Sequence, residues 1–153
     1  MTPVDRIEQL GIRLPPPFSP VGTYVNAVRT GNLLVLGGHV PVTASGQVVQ
    51  GKLGAELDIE AGQRAARLAA LSALSTMQVE LGSLDRVVRI VSLRGVVNST
   101  PEFQDHTRVI DGASDLLVEI FGDQGQHARL AVGVSSLPAN LALEIEVLVE
   151  VSL

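Results

Sequence analysis

The feature that most constrains the fold is a strict alternation at the end of the chain. Between residues 141 and 152, every odd position from Leu143 to Val151 is apolar. The even positions are mostly polar: Glu144, Glu146, Leu148, Glu150 and Ser152. Successive side chains of a β-strand point to opposite faces of the sheet, so this pattern predicts a strand with one buried face. We expect helices to cover the odd face and leave Glu144 on the other.

The preceding strand, predicted over residues 128–134, adds an arginine to this picture. Its large apolar residues are Leu130, Val132 and Val134. If that set lies under the same helices, Arg129, Ala131 and Gly133 share the uncovered face with Glu144. Small neighbours leave room beside a guanidinium, whose planar fork can hold a carboxylate through two parallel hydrogen bonds. The alternative is that Arg129 and Glu144 pair with each other or point to water.

The rest of the chain predicts a mixed α+β order. We expect a short helix over 3–10 and a proline-rich arm up to residue 20. Strands are predicted as a hairpin within 24–40, then at 47–50, 86–97, 128–134 and 141–152, with helices at 58–81 and 101–121. The resulting order, βββ-α-β-α-ββ, favours one domain over residues 1–153, built from one mixed sheet with two helices on one face.

Composition excludes several classes of protein. The net charge of −5 lacks the basic face that nucleic-acid binding needs. No run of apolar residues is long enough to span a membrane, and the first 20 residues lack the basic start and apolar core of a secretory signal. With no cysteine, the chain fits a reducing compartment, so we expect a cytoplasmic protein. A 46% apolar content exceeds what a small monomer needs and favours a subunit interface.

The histidines and the single tyrosine are weaker candidates. His39, His106 and His127 lack the spacing of metal ligands, so no metal is expected. We expect His106 on an exposed helix turn, while His39 either lines a pocket or packs in the interior. Tyr24 is either a core ring or the wall of a pocket.

Four stretches of the sequence together resemble the Rid/YjgF family, also known as reactive-intermediate deaminases or the endoribonuclease L-PSP family. They are residues 20–28, residues 31–41, His127 to Val134, and Leu137-Pro138 followed by residues 143–146. The resemblance extends from about residue 15 to the end of the chain. It implies a chorismate-mutase-like fold and a homotrimer, with the sheets inside, the helices outside and the small-molecule sites in clefts between subunits.

The resemblance also implies roles for individual residues. Arg129 matches the arginine that holds the substrate carboxylate, and Glu144 matches the glutamate that orients or activates water. Other substrate-binding positions of the cleft correspond to Tyr24, Gly38, His39 and Ala131. The sequence departs from the family pattern at three places: Gly37 replaces a serine, His39 a glutamine and Ala131 a common cysteine. The asparagine that many members carry on the second helix is not matched by residues 110–113.

The function that the resemblance implies is hydrolytic deamination of small enamines or imines with a carboxylate, such as 2-aminoacrylate, to 2-keto acids and ammonia. No cofactor is expected. The alternative is a non-catalytic trimer that binds a metabolite carboxylate in the same clefts. A ribonuclease, suggested by the older family label, fits the acidic composition poorly.

Overall fold

The computed structural model describes residues 1–153, and its strands form one five-stranded sheet. The strands are β1 (Ala27–Thr30), β2 (Leu33–Leu36), β3 (Val87–Asn98), β4 (Ala128–Val134) and β5 (Leu143–Val151). Their order across the sheet is β1-β2-β5-β3-β4. The β3–β4 pair is parallel and the other pairs are antiparallel, so the sheet is mixed, as expected.

Three α-helices accompany the sheet: α1 (Pro3–Gln9), α2 (Ile59–Leu81) and α3 (His106–Phe121). The predicted ends of α2 are confirmed. The Asp58 side chain caps its start by accepting from the backbone N–H of Ala61, and Gly82 ends it with a φ of 79°. None of the helices is both long and apolar enough to cross a bilayer.

Small residues let the helices approach the sheet and each other closely. The buried side of α2 is rich in alanine: Ala65, Ala66, Ala69, Ala70 and Ala73. In α3, Gly112 does not interrupt the helix but meets α2, because a Cβ there would lie 2.1 Å from the carbonyl oxygen of Gln63. The two helices therefore touch backbone to backbone at this point.

The predicted strand at 47–50 is not part of the sheet. These residues make only isolated bridges, from Val48 to Val42 and from Gln50 to Leu141. Gly46 and Gly51 bound the segment at φ values of 84° and 120°, so the backbone turns before a ladder can extend. The sheet strands and the two long helices therefore follow the order ββ-α-β-α-ββ.

The second long helix also begins later than predicted, at His106 rather than at residue 101. The backbone N–H of Phe103 donates to the carbonyl of Thr100 at 3.2 Å and closes a turn around Pro101. The Phe103 ring then packs edge-on against the imidazole of His106, with the ring centres 5.3 Å apart. His106 is therefore half-buried, not on an exposed turn as expected.

The proline-rich arm lies against the rest of the molecule. The Ser75 hydroxyl of α2 donates to the carbonyl of Pro15 at 2.5 Å. Further along the arm, the Phe18 ring meets the imidazole of His39 edge-on, 5.4 Å between centres. These contacts fix the segment that leads into β1.

Candidate functional site

Arg129 and Glu144 lie on opposite faces of the sheet, so the prediction that they emerge together is wrong. Arg129 is in register with Leu93, which is fully buried beneath the helices. Glu144 is in register with Val96, on the face that the helices leave open. Within one subunit, the sheet therefore lies between the two side chains.

The error has a physical cause in the packing of α3 on β4. A Cβ at Gly133 would lie 2.4 Å from Nε2 of His106 and 2.7 Å from Oγ of Ser99. The covered face of β4 therefore accepts only small residues along its length, apart from the arginine at its start. The large residues Leu130 and Val132 turn to the open face, where they are 49% and 38% exposed.

The Arg129 guanidinium is held by one side of α3. Its Nη1 donates to Oδ1 of Asp111 at 2.8 Å and to Oγ of Ser114 at 3.1 Å, and its Nη2 donates to the Thr107 carbonyl at 3.2 Å. The Arg129 side chain is 18% exposed. Its Nε–H and one Nη2–H have no partner in the subunit, so two donors remain for a ligand.

His127 orients the Ser114 hydroxyl, which accepts a hydrogen bond from Arg129. The Nδ1–H of His127 donates to the Gly125 carbonyl at 2.6 Å, since a carbonyl can only accept. Nε2 then accepts from the Ser114 hydroxyl at 2.9 Å, which leaves the Ser114 oxygen to accept from Arg129. Burial lowers the pKa of His127, against the effect of the Gly125 bond and reinforced by the charge of Arg129. The imidazole is therefore held in its neutral form.

Sequence reasoning did not identify these supporting residues. Thr107, Asp111 and Ser114 follow one another at spacings of four and three, which places them on one face of a helix. That spacing is the signal that was available. The spacing indicates a set of partners for Arg129 only once Arg129 is known to point toward α3.

Glu144 has a different environment on the open face. Its carboxylate makes no hydrogen bond in the subunit. Burial, followed by the negative charge of Glu146, raises the pKa of Glu144 above its usual value. Gly38 lies beside it, since a Cβ at Gly38 would be 3.7 Å from Oε2 of Glu144. A carboxylate of this kind can take up and return a proton.

The His39 side chain packs in the interior and does not line the open face. It is fully buried, with Nδ1–H donating to the Gly37 carbonyl at 2.8 Å and Nε2 accepting from the Thr76 hydroxyl at 2.8 Å. Burial lowers the pKa of His39. Of the two alternatives from the sequence, the structure shows the packed one.

Tyr24 and Ala131 occupy different parts of the molecule. Tyr24 precedes β1, its ring is 49% exposed and its hydroxyl accepts from the Val21 N–H at 3.2 Å. It makes no hydrogen bond to Arg129 or Glu144. Ala131 is half-buried on the covered face, between Arg129 and Gly133. Within one subunit, the candidate residues thus form two groups: Arg129 with Ala131, and Glu144 with Gly38.

The open face of the sheet carries several exposed apolar residues beside its charged ones. Its exposed large residues are Val28, Val35, Leu130 and Val132. The register aligns Val28, Val35 and Leu148 in one row, and Val132, Val96 and Glu144 in another. Arg94 and Glu146 lie opposite each other between these two rows. Exposed apolar groups on one face of a sheet are typical of an interface.

Residues 5–151 match the family described as "YjgF/chorismate mutase-like, putative endoribonuclease". The chain therefore belongs to the YjgF family, and the chorismate-mutase-like fold expected from the sequence is confirmed.

Similar proteins and solved structures cover nearly the whole chain. The Protein TCP17 of Trypanosoma cruzi is 45% identical over 95% of this chain and 92% of its own length. The crystal structure of Atu1372 from Agrobacterium tumefaciens, a protein "with unknown function", is 38% identical, covers 99% of this chain and 94% of its own, and superposes with a TM-score of 0.89. RidA from an Antarctic Psychrobacter is 20% identical, covering 90% and 94% of the two chains, and its TM-score of 0.63 shows a shared fold alone.

Proposed function

We propose that the protein hydrolyses small imines or enamines that carry a carboxylate, in clefts between the subunits of a homotrimer. The observation that carries the proposal is the pair of free donors on Arg129. Three hydrogen bonds to α3 fix the guanidinium, and two N–H groups remain for a carboxylate. A preorganised fork loses little freedom when it binds its ligand.

The division of the candidate residues between two faces supports an inter-subunit site. Arg129 lies on the edge strand β4, next to α3, whereas Glu144 and Gly38 lie on the open face. Docking the apolar open face of one subunit onto a second copy would cover its valines and leucines. It would also bring Glu144 of one subunit toward an arginine of another, and a closed ring of three copies repeats the same contact without leaving an apolar face exposed.

In the proposed reaction, Arg129 binds the substrate carboxylate and positions the C=N carbon. An enamine first tautomerises to the imine. Glu144, in its ionised form, then accepts a proton as water adds to the imine carbon, and returns it to the nitrogen. Collapse of the tetrahedral adduct breaks the C–N bond and releases ammonia and a 2-keto acid. One water is consumed for each ammonia released, and no redox step occurs.

The direct test is ammonia release from enzymatically generated 2-aminoacrylate. We expect acceleration over the spontaneous rate, lost in Arg129→Ala and in Glu144→Gln, and partly kept in Arg129→Lys, which retains the charge but not the fork. Glu144→Gln should keep product binding while losing turnover. The wild type should have a solution mass of about three times 16.1 kDa. A monomeric wild type, or no acceleration with any carboxylated imine, would contradict the proposal.

A second candidate, a binding protein without turnover, is favoured by one observation. Within one subunit, three hydrogen bonds hold Arg129 for a carboxylate, whereas Glu144 has no hydrogen bond that would orient it for proton transfer. A saturable increase in melting temperature with pyruvate or 2-oxobutyrate, without ammonia release from any imine, would identify this function. Loss of that shift in Arg129→Ala would assign it to the same cleft.

A further inference from the structure

A separate cleft of about 510 Å³ opens where the parallel strands β3 and β4 end. It is bordered by Lys52, by Ser99 just after β3, and by His106 at the start of α3. Neither Arg129 nor Glu144 borders it. Its volume is in the range of small-molecule sites.

Lys52 is the only lysine of the chain, and its ammonium group is fixed in this cleft. Nζ donates to Oδ1 of Asn98 at 2.8 Å and to the carbonyl of Ser135 at 2.5 Å. Asn98 is fully buried and is itself held by its donation to Oδ1 of Asn140 at 3.1 Å. Two of the three N–H groups of Lys52 therefore have rigid, neutral acceptors, and one remains free.

No carboxylate lies within 4.0 Å of this ammonium. The chain has two ion pairs within 4.0 Å, Arg67 with Glu119 and Arg129 with Asp111. The nearby Glu56 carboxylate accepts instead from the backbone N–H of Lys52, at 3.1 Å. No acidic residue borders the cleft. Backbone hydrogen bonds, and then the charge of Lys52, lower the pKa of Glu56, which therefore balances part of that charge from outside the cleft.

Ser99 and His106 also border the cleft, and they lie within hydrogen-bond distance of each other. Oγ of Ser99 lies 3.2 Å from Nε2 of His106, and the Phe103 ring holds the imidazole edge-on. If Nε2 carries the hydrogen, the Ser99 oxygen accepts it and its own hydroxyl hydrogen is free to donate to a ligand. The pair fits against β4 because residue 133 is glycine, since any side chain there would collide with both groups.

We propose that this cleft binds the oxyanion group, carboxylate or phosphate, of a small metabolite. Lys52 supplies the charge and a hydrogen bond, and Ser99 supplies a second donor with His106 as its partner. A charge-assisted hydrogen bond to a fixed ammonium is the strongest interaction that the cleft offers. The site is independent of the proposed deaminase cleft, because the two share no side chain.

The single lysine permits a direct test on the intact protein. Protein labelled with carbon-13 at the lysine Cε gives one lysine side-chain NMR signal, that of Lys52. We titrate inorganic phosphate and pyruvate separately, at constant ionic strength set with chloride. A saturable shift with phosphate alone identifies a phosphoryl ligand, one with pyruvate alone a carboxylate ligand, and one with both a general oxyanion site. Absence of saturation with both would overturn the proposal.

Variants assign the binding to the cleft. Lys52→Gln keeps a donor for the Asn98 and Ser135 acceptors but loses the charge, and we expect its Kd, followed by the amide signals of Val134 and Ser135, to rise about tenfold or more. Lys52→Arg should stay within a few-fold of the wild type. Binding should persist in Arg129→Ala, which separates this site from the proposed deaminase cleft. An unchanged Kd in Lys52→Gln would contradict the assignment.

Discussion

The two faces of the sheet differ in how closely they are packed and in how their polar side chains are held. On the covered face, glycine and alanine in β4 let α3 approach closely. Arg129 then donates three hydrogen bonds to residues of α3. On the open face, Val28, Val35 and Leu130 remain exposed and Glu144 has no hydrogen-bond partner. Arg129 is held within one subunit, whereas in the proposed trimer a neighbouring surface would complete the surroundings of Glu144. The comparison shows that one strand order can fix a side chain on one face of a sheet and leave a side chain on the other face without a partner.

The largest effect should come from breaking the close packing of the covered side. Gly112→Ala would place a methyl group 2.1 Å from the backbone oxygen of Gln63, which cannot move without shifting α2. We expect the free energy of unfolding, measured by urea titration, to fall by about 3 kcal/mol or more. Gly37→Ala is the matched control, because a Cβ there meets nothing closer than 3.7 Å. Equal effects of the two substitutions would contradict the described contact between α2 and α3.

A substitution on the open face should change the association of subunits rather than the stability of the fold. Leu130→Glu places a charge on an exposed position of β4, so the fold of one subunit should persist. If this face is the subunit interface, losing a buried leucine and burying a charge costs about 2 kcal/mol or more per contact, and sedimentation should show dissociation. Val79→Glu, at an exposed position of α2, is the control that should leave the mass unchanged. A stable trimer in Leu130→Glu would place the interface elsewhere.

His39, which is fully buried, and His127, which is half-buried, should make stability depend on pH. Burial lowers the pKa of His39 and of His127 below the ordinary 6.5 in the folded protein, so the unfolded chain binds protons more readily. Their contribution to stability is therefore complete above that value and is lost as the pH falls below it, by up to about 1.4 kcal/mol per pH unit for each histidine. The histidines no longer make stability depend on pH once they are protonated in the folded protein too.

Urea titrations over this pH range measure the slope of the unfolding free energy against pH. We expect this slope to be shallower in His127→Gln than in the wild type. Gln126→Ala, at an exposed neighbouring position without a titrating side chain, is the control and should keep the wild-type slope. A slope that is the same in all three proteins would show that carboxylates, not histidines, cause it.

The smallest effect should appear at the ion pair beside the free donors of Arg129. Asp111→Asn keeps an oxygen acceptor for Nη1 but removes the negative charge, so a carboxylate ligand should bind more tightly. Because the Asp111 side chain is 44% exposed, solvent screens the pair and we expect a gain of about threefold in affinity. Calorimetry with pyruvate measures it. Weaker binding in Asp111→Asn would show that the charge of Asp111 helps to hold Arg129 in place.

The sequence predicted the elements well and one orientation badly. Alternation in β5 and the capped, alanine-rich α2 are local patterns, and both appear at nearly the predicted residues. The orientation of Arg129 depends on how closely α3 approaches β4, which no local pattern shows. Counting Leu130 and Val132 as core residues assumed that the larger apolar set faces the helices. The glycine at 133, read as room for a ligand, in fact makes room for a helix.

The scarcity of aromatic residues has a spectroscopic consequence. The chain has one tyrosine and no tryptophan, so nearly all its intrinsic fluorescence comes from Tyr24. That ring is half exposed at the end of the arm, with its hydroxyl bonded to the backbone of Val21. Its quantum yield and anisotropy therefore report on this one segment. The unlabelled wild-type protein carries its own optical probe of whether a neighbouring subunit or a ligand covers the start of β1.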